Sequence, residues 1–314
     1  MKGKQLGIWV ALLAEVLILT VLTSSFGGPH FFDSTFLSWS NLSQVFKAVS
    51  FIAIMAVGQS VVIISGGIDL SVGSVLGLSG VVTAVLLNGV LGVESAAIAG
   101  IAVGLVCGIA TGLLITKANL PPFIATLGMM SVARGFAFAL TGGETIRNLP
   151  ETFLMMGQGS IMSIPIPILT MVVFALVIGF LLKKTRLGRY TYAIGGNEEA
   201  AVYSGVDVQK AKILIYGLCG LAAGIAGVLF AARFGVGQST SGLGYELDVI
   251  AAAVIGGISL SGGRGTILGA MVGSLLMGIL HNGLVLLDVS AYWQQVAIGV
   301  VILLAVVMDR KTKR

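Results

Sequence analysis

The chain has 314 residues, of which 56% are hydrophobic and only 10% are charged, with a formal net charge of +5. Soluble domains average about a quarter charged residues, so this composition excludes a water-facing surface and indicates lipid as the solvent. The small positive charge does not indicate a nucleic-acid partner, because Lys and Arg have a better explanation as membrane-topology signals. The two cysteines, Cys107 and Cys219, lie inside apolar runs without metal-ligand spacing.

Ten apolar runs approach the roughly 20 residues that a helix needs to cross a bilayer. The first follows Lys2 and Lys4 and resembles a signal peptide, but Glu15 interrupts it and no cleavage pattern follows, so we expect a retained span. The weakest is 247–262, which is short and broken by glycine, and which is alternatively a re-entrant segment. The predicted spans are 7–26, 45–64, 70–91, 95–116, 122–141, 164–182, 213–234, 247–262, 266–287 and 291–308.

The distribution of basic residues predicts the topology. Ten crossings place 14 of the 18 Lys and Arg residues on the side of Lys2 and Lys4, and only Lys47 and Arg147 on the other. Because cytoplasmic loops are enriched in Lys and Arg, that side is the cytoplasm. We therefore expect an all-α integral membrane protein, a single domain over 1–314 with about ten transmembrane helices and both termini cytoplasmic. The longest outer connections are then 27–44 and 142–163.

A cytoplasmic connection at about 183–212 is the one sizeable charged segment between apolar runs. Asn197 is a favourable N-cap, and Glu198 and Glu199 complement the positive end of a helix dipole. Gly205 is a C-cap candidate, which limits the helix to about two turns. A helix this short is not stable alone, so it needs a partner surface or a groove in its own protein. The alternative is an ordinary amphipathic loop at the membrane surface.

Two short segments, one in each half of the chain, are similar in sequence, and we call this similarity the internal echo. Residues 66–73 and 256–263 match at six of eight positions, although short Gly-rich matches also arise by chance. Glycine-interrupted apolar segments in both halves are a pointer to a translocation site. Within the first segment, Asp69 and Ser71 either cap the following helix or line the path, and the two roles are compatible.

Several other polar or aromatic residues lie in or near the spans. Arg134 either pairs within the bundle or extends towards the outer surface. Glu246 and Asp248 are suited to capping the eighth segment. Asn282 is suited to bonding a neighbouring helix, and Phe123 to packing.

Catalytic motifs are absent from the sequence. There is no Gly-x-x-x-x-Gly-Lys-[Ser/Thr] phosphate loop, no clustered Cys and His, and no nucleophile elbow. We therefore expect no enzyme activity, no cofactor and no metal site. Energy for uphill transport must then enter from another protein or from an ion gradient.

The segment Glu199-Ala200-Ala201-x-x-x-Gly205 resembles the Glu-Ala-Ala loop of bacterial ABC importers, which docks on the ATPase. Ile215 has the expected spacing, but Gly217 and Leu218 stand where the maltose-type loop carries Leu-Pro. The whole chain is instead similar to the ribose-type permeases of monosaccharide ABC importers. The matching stretches are 56–58, 65–74, 123–127, 185–197, 204–206, 244–248 and 282–284.

This resemblance implies the vitamin B12-permease-like, type II importer architecture in the bacterial cytoplasmic (inner) membrane. It implies a second permease chain, expected to be identical, a separate ABC ATPase, and a periplasmic or extracellular sugar-binding protein. The expected substrate is ribose or a related monosaccharide. The alternatives are an ion-coupled secondary transporter that uses Asp69 or Glu15, and a membrane scaffold without transport.

The resemblance and the local patterns together give two sets of site residues. The expected path residues are Asp69, Ser71, Phe123 and Asn282. In such a permease Phe123 would alternatively stack on the face of a sugar, and Asn282 would bond a sugar hydroxyl. Glu246 and Asp248 would alternatively receive the binding protein. The residues expected to couple the permease to the ATPase are Gly195, Gly196, Asn197, Glu198, Glu199, Ala200, Ala201 and Gly205.

Overall fold

The computed structural model describes residues 2–24, 34–89 and 91–311. Part of the expected outer connection 27–44, and the tail residues Lys313 and Arg314, lie outside the described residues. Within them the regular elements are helices and one two-stranded hairpin, β1 (Ser160–Ile161) with β2 (Ile164–Pro165). The helices are α1 (Lys2–Leu22), α2 (Trp39–Ile64), α3 (Val72–Gly89), α4 (Val93–Thr116), α5 (Pro122–Thr141), α6 (Glu151–Gln158), α7 (Ile166–Lys184), α8 (Arg186–Gly196), α9 (Glu198–Tyr203), α10 (Val208–Phe234), α11 (Tyr245–Ile255), α12 (Ile267–Leu286) and α13 (Ala291–Lys311).

Seven of the described helices are long and apolar enough to cross a membrane, namely α2, α3, α4, α5, α7, α10 and α12. Shorter apolar stretches occupy α1 (Gly7–Leu22) and α13 (Ala291–Leu304). The all-helical membrane architecture is thus confirmed, whereas the count of ten spans and the side of the termini are not.

Small residues bring the central helices together. α2 and α10 are the long helices at the centre of the bundle, and α10 packs along α4, α3 and α2. A Cβ on Gly104 of α4 would lie only 2.6 Å from the Cα of Gly224 on α10. Such backbone contact is the usual basis of helix association in lipid, where no hydrophobic force drives the helices together.

The eighth predicted span, 247–262, is not a continuous helix, which corrects that expectation. α11 has only 11 residues, about 16 Å at 1.5 Å per residue. The chain leaves α10 at Gly235 (φ +68°) and pairs with Ile146 through Gly237, with both hydrogen bonds at 2.9 Å. It then runs back along α3, where Gly242 packs against the backbone of Gly73.

We call 235–255 the composite crossing, because a non-helical first half precedes the half-helix α11. The glycines that break this run mark it as irregular in the sequence, but composition alone does not distinguish a buried apolar loop from an apolar helix.

Candidate functional site

The charged connection folds into α8 and α9. Asn197 caps α9, and its Oδ1 accepts a hydrogen bond from the Ala200 backbone N–H at 2.9 Å. Gly205 has φ +81°, and the Val206 N–H donates to the Ala201 carbonyl at 3.0 Å, which is the Schellman type of helix ending. The short helix expected between Asn197 and Gly205 is therefore present.

α9 is held firmly to the start of α10. The Lys212 ammonium donates to both carboxylate oxygens of Glu198, at 2.6 and 2.8 Å. Asp207 caps α10 by accepting from the Lys210 backbone N–H at 3.0 Å, and a side-chain hydrogen bond from Lys210 lowers the pKa of the Asp207 carboxyl. A small apolar cluster completes the attachment, so that α8, α9 and the first turn of α10 form one unit; it consists of Ile194, Ala201, Val208 and Ala211.

The end of α8 is wedged between two other segments at Gly195. The Gly263 N–H donates to the Ile64 carbonyl at 2.8 Å, which joins the loop after α11 to the end of α2. A Cβ on Gly195 would collide with the Ile64 oxygen and lie 2.6 Å from the Gly263 nitrogen. The Tyr192 hydroxyl donates to the Gly265 carbonyl at 2.9 Å, and burial raises the pKa of this hydroxyl. α8 thus contacts α2 and the 262–265 loop at once.

The internal echo corresponds to two helix ends with the same geometry. Gly66 after α2 and Gly257 after α11 have φ of +87° and +85°. In each case the next residue, Gly67 or Ile258, donates back to the carbonyl five residues earlier, at 3.0 and 3.1 Å. In the structure Gly66 thus corresponds to Gly257, whereas in the sequence match it is aligned with Gly256. Both helix ends lie beside Gly195 or the loop that contacts it.

A cavity of about 570 Å³ adjoins this junction. It lies between the end of α8 and the loop that follows α11, next to the place where Gly195 and Gly263 touch. Its lining residues are Gly195, Gly196, Ser259, Ser261, Gly262, Gly263 and Arg264.

Asp69 and Ser71 lie together in the buried turn between α2 and α3. Asp69 Oδ1 accepts from the Ser71 N–H at 2.8 Å and from the Ser71 hydroxyl at 2.6 Å. The Ser71 carbonyl in turn accepts the first helical N–H bond, from Val75, at 2.8 Å. Asp69 therefore holds Ser71, the residue that precedes α3, and does not itself bond to the N–H groups of that helix. Cys219 lies close by and donates to Gln59 at 3.4 Å, so the surroundings are polar as well as buried.

The other two expected path residues lie elsewhere. Phe123 is the second residue of α5, and its side chain is 58% exposed. Asn282 on α12 exchanges two amide hydrogen bonds with Asn41 on α2, at 2.9 and 2.8 Å. The structure thus brings Asp69 and Ser71 into one place but does not join Phe123 or Asn282 to them.

Two features carry more weight in the structure than in the sequence reasoning. On α9, Val202 and Tyr203 are exposed, Tyr203 to 89%, and the signal for them is apolar residues in a charged cytoplasmic connection. The second feature joins α5 to the composite crossing. Arg134 on α5 donates from Nη1 to the Ser239 carbonyl and, at 2.8 Å, to the Ser241 carbonyl. The signal there is a charged residue inside an apolar span, which is functional by default.

A bundle of long apolar helices, with a braced helix pair in its one sizeable charged connection, defines an integral membrane protein. A family model described as "Branched-chain amino acid transport system / permease component" matches residues 41–306.

The chain is also similar to permease proteins of known importers over nearly its whole length. The chain is 44% identical to the ribose import permease protein of Bacillus subtilis over 98% of this chain and 93% of the relative. It is 38% identical to the D-allose transport system permease protein of Escherichia coli K12, over 93% and 90%. It is 39% identical to the L-arabinose ABC transporter permease protein of Azospirillum brasilense, over 88% and 81%.

The chain therefore belongs to this family of importer permeases. It is the multi-pass permease subunit of a bacterial ABC importer in the cytoplasmic membrane, and a separate ATPase hydrolyses the ATP.

Proposed function

We propose that this permease translocates a monosaccharide, with ribose as the first substrate to test. The observation that carries the proposal is 44% identity to a ribose permease over nearly the whole of both chains. The family model is named for branched-chain amino acids, but the three relatives compared above are permeases named for ribose, D-allose and L-arabinose. High affinity need not reside in the permease, because a binding protein delivers the sugar to its outer mouth.

α8 and α9 are proposed as the surface that docks on the ATPase. Glu199, Val202 and Tyr203 are exposed there, which suits a partner surface with both apolar and basic groups. Movement of the ATPase would be transmitted through Gly195 to the end of α2 and to the loop after α11, because these segments touch. The result is alternating access, in which bundles rock around a site near the membrane midplane.

The proposed topology has ten crossings, both termini in the cytoplasm, and a type II importer arrangement. Seven long helices, α1, α13 and the composite crossing supply the ten. The positions of the Lys and Arg residues support an even number of crossings, because an odd number would leave the basic C-terminal tail outside.

A second, identical permease chain is proposed to close the path along α5. The exposed face of α5 mixes Val132 and Phe136 with the polar Ser131, and Arg134 lies half-buried beside it. A face that mixes polar and apolar residues suits a contact with a second subunit, or a water-filled path, better than it suits contact with lipid. Contacts between helices in a membrane are enriched in small and polar residues.

The expected path residues retain distinct proposed roles. The exposed ring of Phe123 would meet the sugar near the cytoplasmic end of α5. Asp69 and Ser71 would shape the broken segment between α2 and α3 that moves with α8. Asn282 would reach a sugar only in a state in which its pairing with Asn41 opens.

Reconstitution tests the function. The permease, its ATPase and its binding protein are placed in proteoliposomes with ATP inside, and uptake of labelled ribose, allose and arabinose is measured. We expect ATP-dependent ribose accumulation that requires all three proteins. Accumulation that survives loss of the ATPase and collapses with an uncoupler would establish the secondary-transporter alternative instead.

A further inference from the structure

The composite crossing breaks at membrane depth beside α5. Arg134 is the thirteenth residue of α5, about 18 Å along a helix that rises 1.5 Å per residue, and the hydrocarbon core is about 30 Å thick. Its guanidinium reaches the non-helical backbone at Ser239 and Ser241. Non-helical backbone at this depth is tolerated only where protein buries it or where it lines water. α11 then begins at Tyr245, so that Glu246 lies in its first turn.

Two glycines of α3 place the charges of Arg134 and Glu246 side by side. A Cβ on Gly77 would lie 2.9 Å from Arg134 Nη1, and a Cβ on Gly73 would lie 2.5 Å from Glu246 Oε2. Gly73 and Gly77 are one helical turn apart, which puts their Cβ positions about 6 Å from each other. The carboxylate and the guanidinium therefore occupy neighbouring notches on the same face of α3.

Both groups retain unused hydrogen-bonding capacity. In the part of the chain that the structure describes, Nε and Nη2 of Arg134 are buried without a hydrogen-bond partner. Glu246 is partly exposed, and neither a hydrogen bond nor an ion pair within 4 Å reaches its carboxylate among the same residues. An unpaired carboxylate at this depth is not stable against lipid, so it faces water or a ligand.

We propose that Glu246 and Arg134 form a sugar-binding site midway along the path, where Glu246 accepts hydrogen bonds from adjacent hydroxyls and Arg134 donates to a third in a state of the transport cycle that opens its buried Nε and Nη2. The inference rests on the proposed function and names the contact that selects among monosaccharides. A carboxylate beside a guanidinium has no net charge, which suits a neutral polyhydroxyl ligand better than an ion. Hydrogen bonds to charged groups are strong enough to discriminate between epimers.

Transport by the complete importer is the first test. Glu246→Gln should lower ribose uptake roughly tenfold or more, because bonds to a charged acceptor are lost, and should change the ratio of ribose to arabinose uptake. Membrane abundance and binding-protein-stimulated ATP hydrolysis should persist. Glu94→Gln is the matched control, since Glu94 is an exposed carboxylate in the first turn of α4. Glu246→Gln with wild-type uptake and an unchanged sugar ratio would overturn the proposal.

Cysteine labelling gives a second readout that does not depend on turnover. Glu246→Cys is made in a chain in which Cys107 and Cys219, its two native cysteines, are replaced by alanine. We expect a charged methanethiosulfonate to label position 246 in the assembled importer, and ribose to slow that labelling. Leu247→Cys is the control, because its exposed side chain lies about 100° around α11 from position 246, so ribose should not slow its labelling.

The outcomes separate the two proposals. If Glu246→Gln does not reach the membrane, Glu246→Asp keeps the charge but moves the oxygens, and it should still change the sugar ratio. No labelling at position 246, or protection by leucine but not by ribose, would refute this site. A wild-type importer that moves none of the sugars would instead remove the proposed function itself.

Discussion

Gly195 shows how one residue can join three segments. It touches the end of α2 at Ile64 and the loop after α11 at Gly263, and it is itself the penultimate residue of α8. There is no room for a side chain, so the close approach depends on glycine at this position. Its neighbour Gly196 differs, because a Cβ there would meet no atom of this chain within 4 Å.

A substitution at Gly195 should separate the three segments. Gly195→Ala is expected to destabilise the junction by about 1–3 kcal/mol through overpacking and to reduce uptake at least tenfold. Gly179→Ala on α7 is the control, since a Cβ at that position meets no atom within 4 Å. Thermal unfolding of the purified permease and proteoliposome uptake measure the two effects. A Gly195→Ala importer with wild-type uptake would show that the contact does not transmit movement.

Asp69 makes a second residue-scale prediction. Asp69→Ala removes the acceptor of two hydrogen bonds from Ser71 and should cost about 1–3 kcal/mol of stability, because buried donors are left unpaired. Asp69→Asn keeps one acceptor and should be milder. Uptake divided by membrane abundance decides the role. A parallel fall of both indicates a structural turn, whereas a fall in uptake alone indicates a residue on the path.

The helix pair α8–α9 is the element proposed to dock on the ATPase. Glu198 is occupied by Lys212, whereas Glu199 has no ion-pair partner among the residues that the structure describes. The two adjacent carboxylates therefore have different tasks. One holds α9 to α10, and the other faces outward with Val202 and Tyr203.

Charge reversal at Glu199 should disrupt docking without disturbing insertion. Glu199→Lys is expected to abolish co-purification of the ATPase and ribose uptake, because it puts a like charge against a partner surface that the wild-type carboxylate would favour. Glu94→Lys, a reversal at another exposed helix start, should leave co-purification unchanged. Normal ATPase capture and uptake by Glu199→Lys would contradict the docking role.

Helix boundaries were predictable where local signals mark them. The span 122–141 coincides with α5, which has Pro122 at its first position and left-handed Gly142 after its last. The caps of α9 at Asn197 and Gly205 were readable for the same reason. The composite crossing was not, because composition does not distinguish a buried apolar loop from a helix. Nor could local patterns reveal that Gly195 meets Ile64, since that contact joins distant parts of the chain.

At the scale of the whole molecule, α5 presents an exposed face that mixes polar and apolar residues. A dimer that closes there places the two copies of Val132 near a two-fold axis. Val132→Cys, in a chain whose native cysteines are replaced, should cross-link between identical chains in membranes. Leu176→Cys on α7, also exposed, should not. Cross-linking at position 176 but not at 132 would place the subunit contact elsewhere.

The tether between Arg134 and the carbonyls of Ser239 and Ser241 also constrains biosynthesis. The Ser239 acceptor is 105 residues further along the chain. At about 5–20 residues per second, the ribosome needs roughly 5–20 s to make that stretch. During this interval the newly inserted α5 carries a guanidinium without its final acceptors, in a hydrophobic environment. Truncated nascent chains that end before residue 239 should therefore be held by insertion factors or degraded, whereas chains that extend past 241 should become stable.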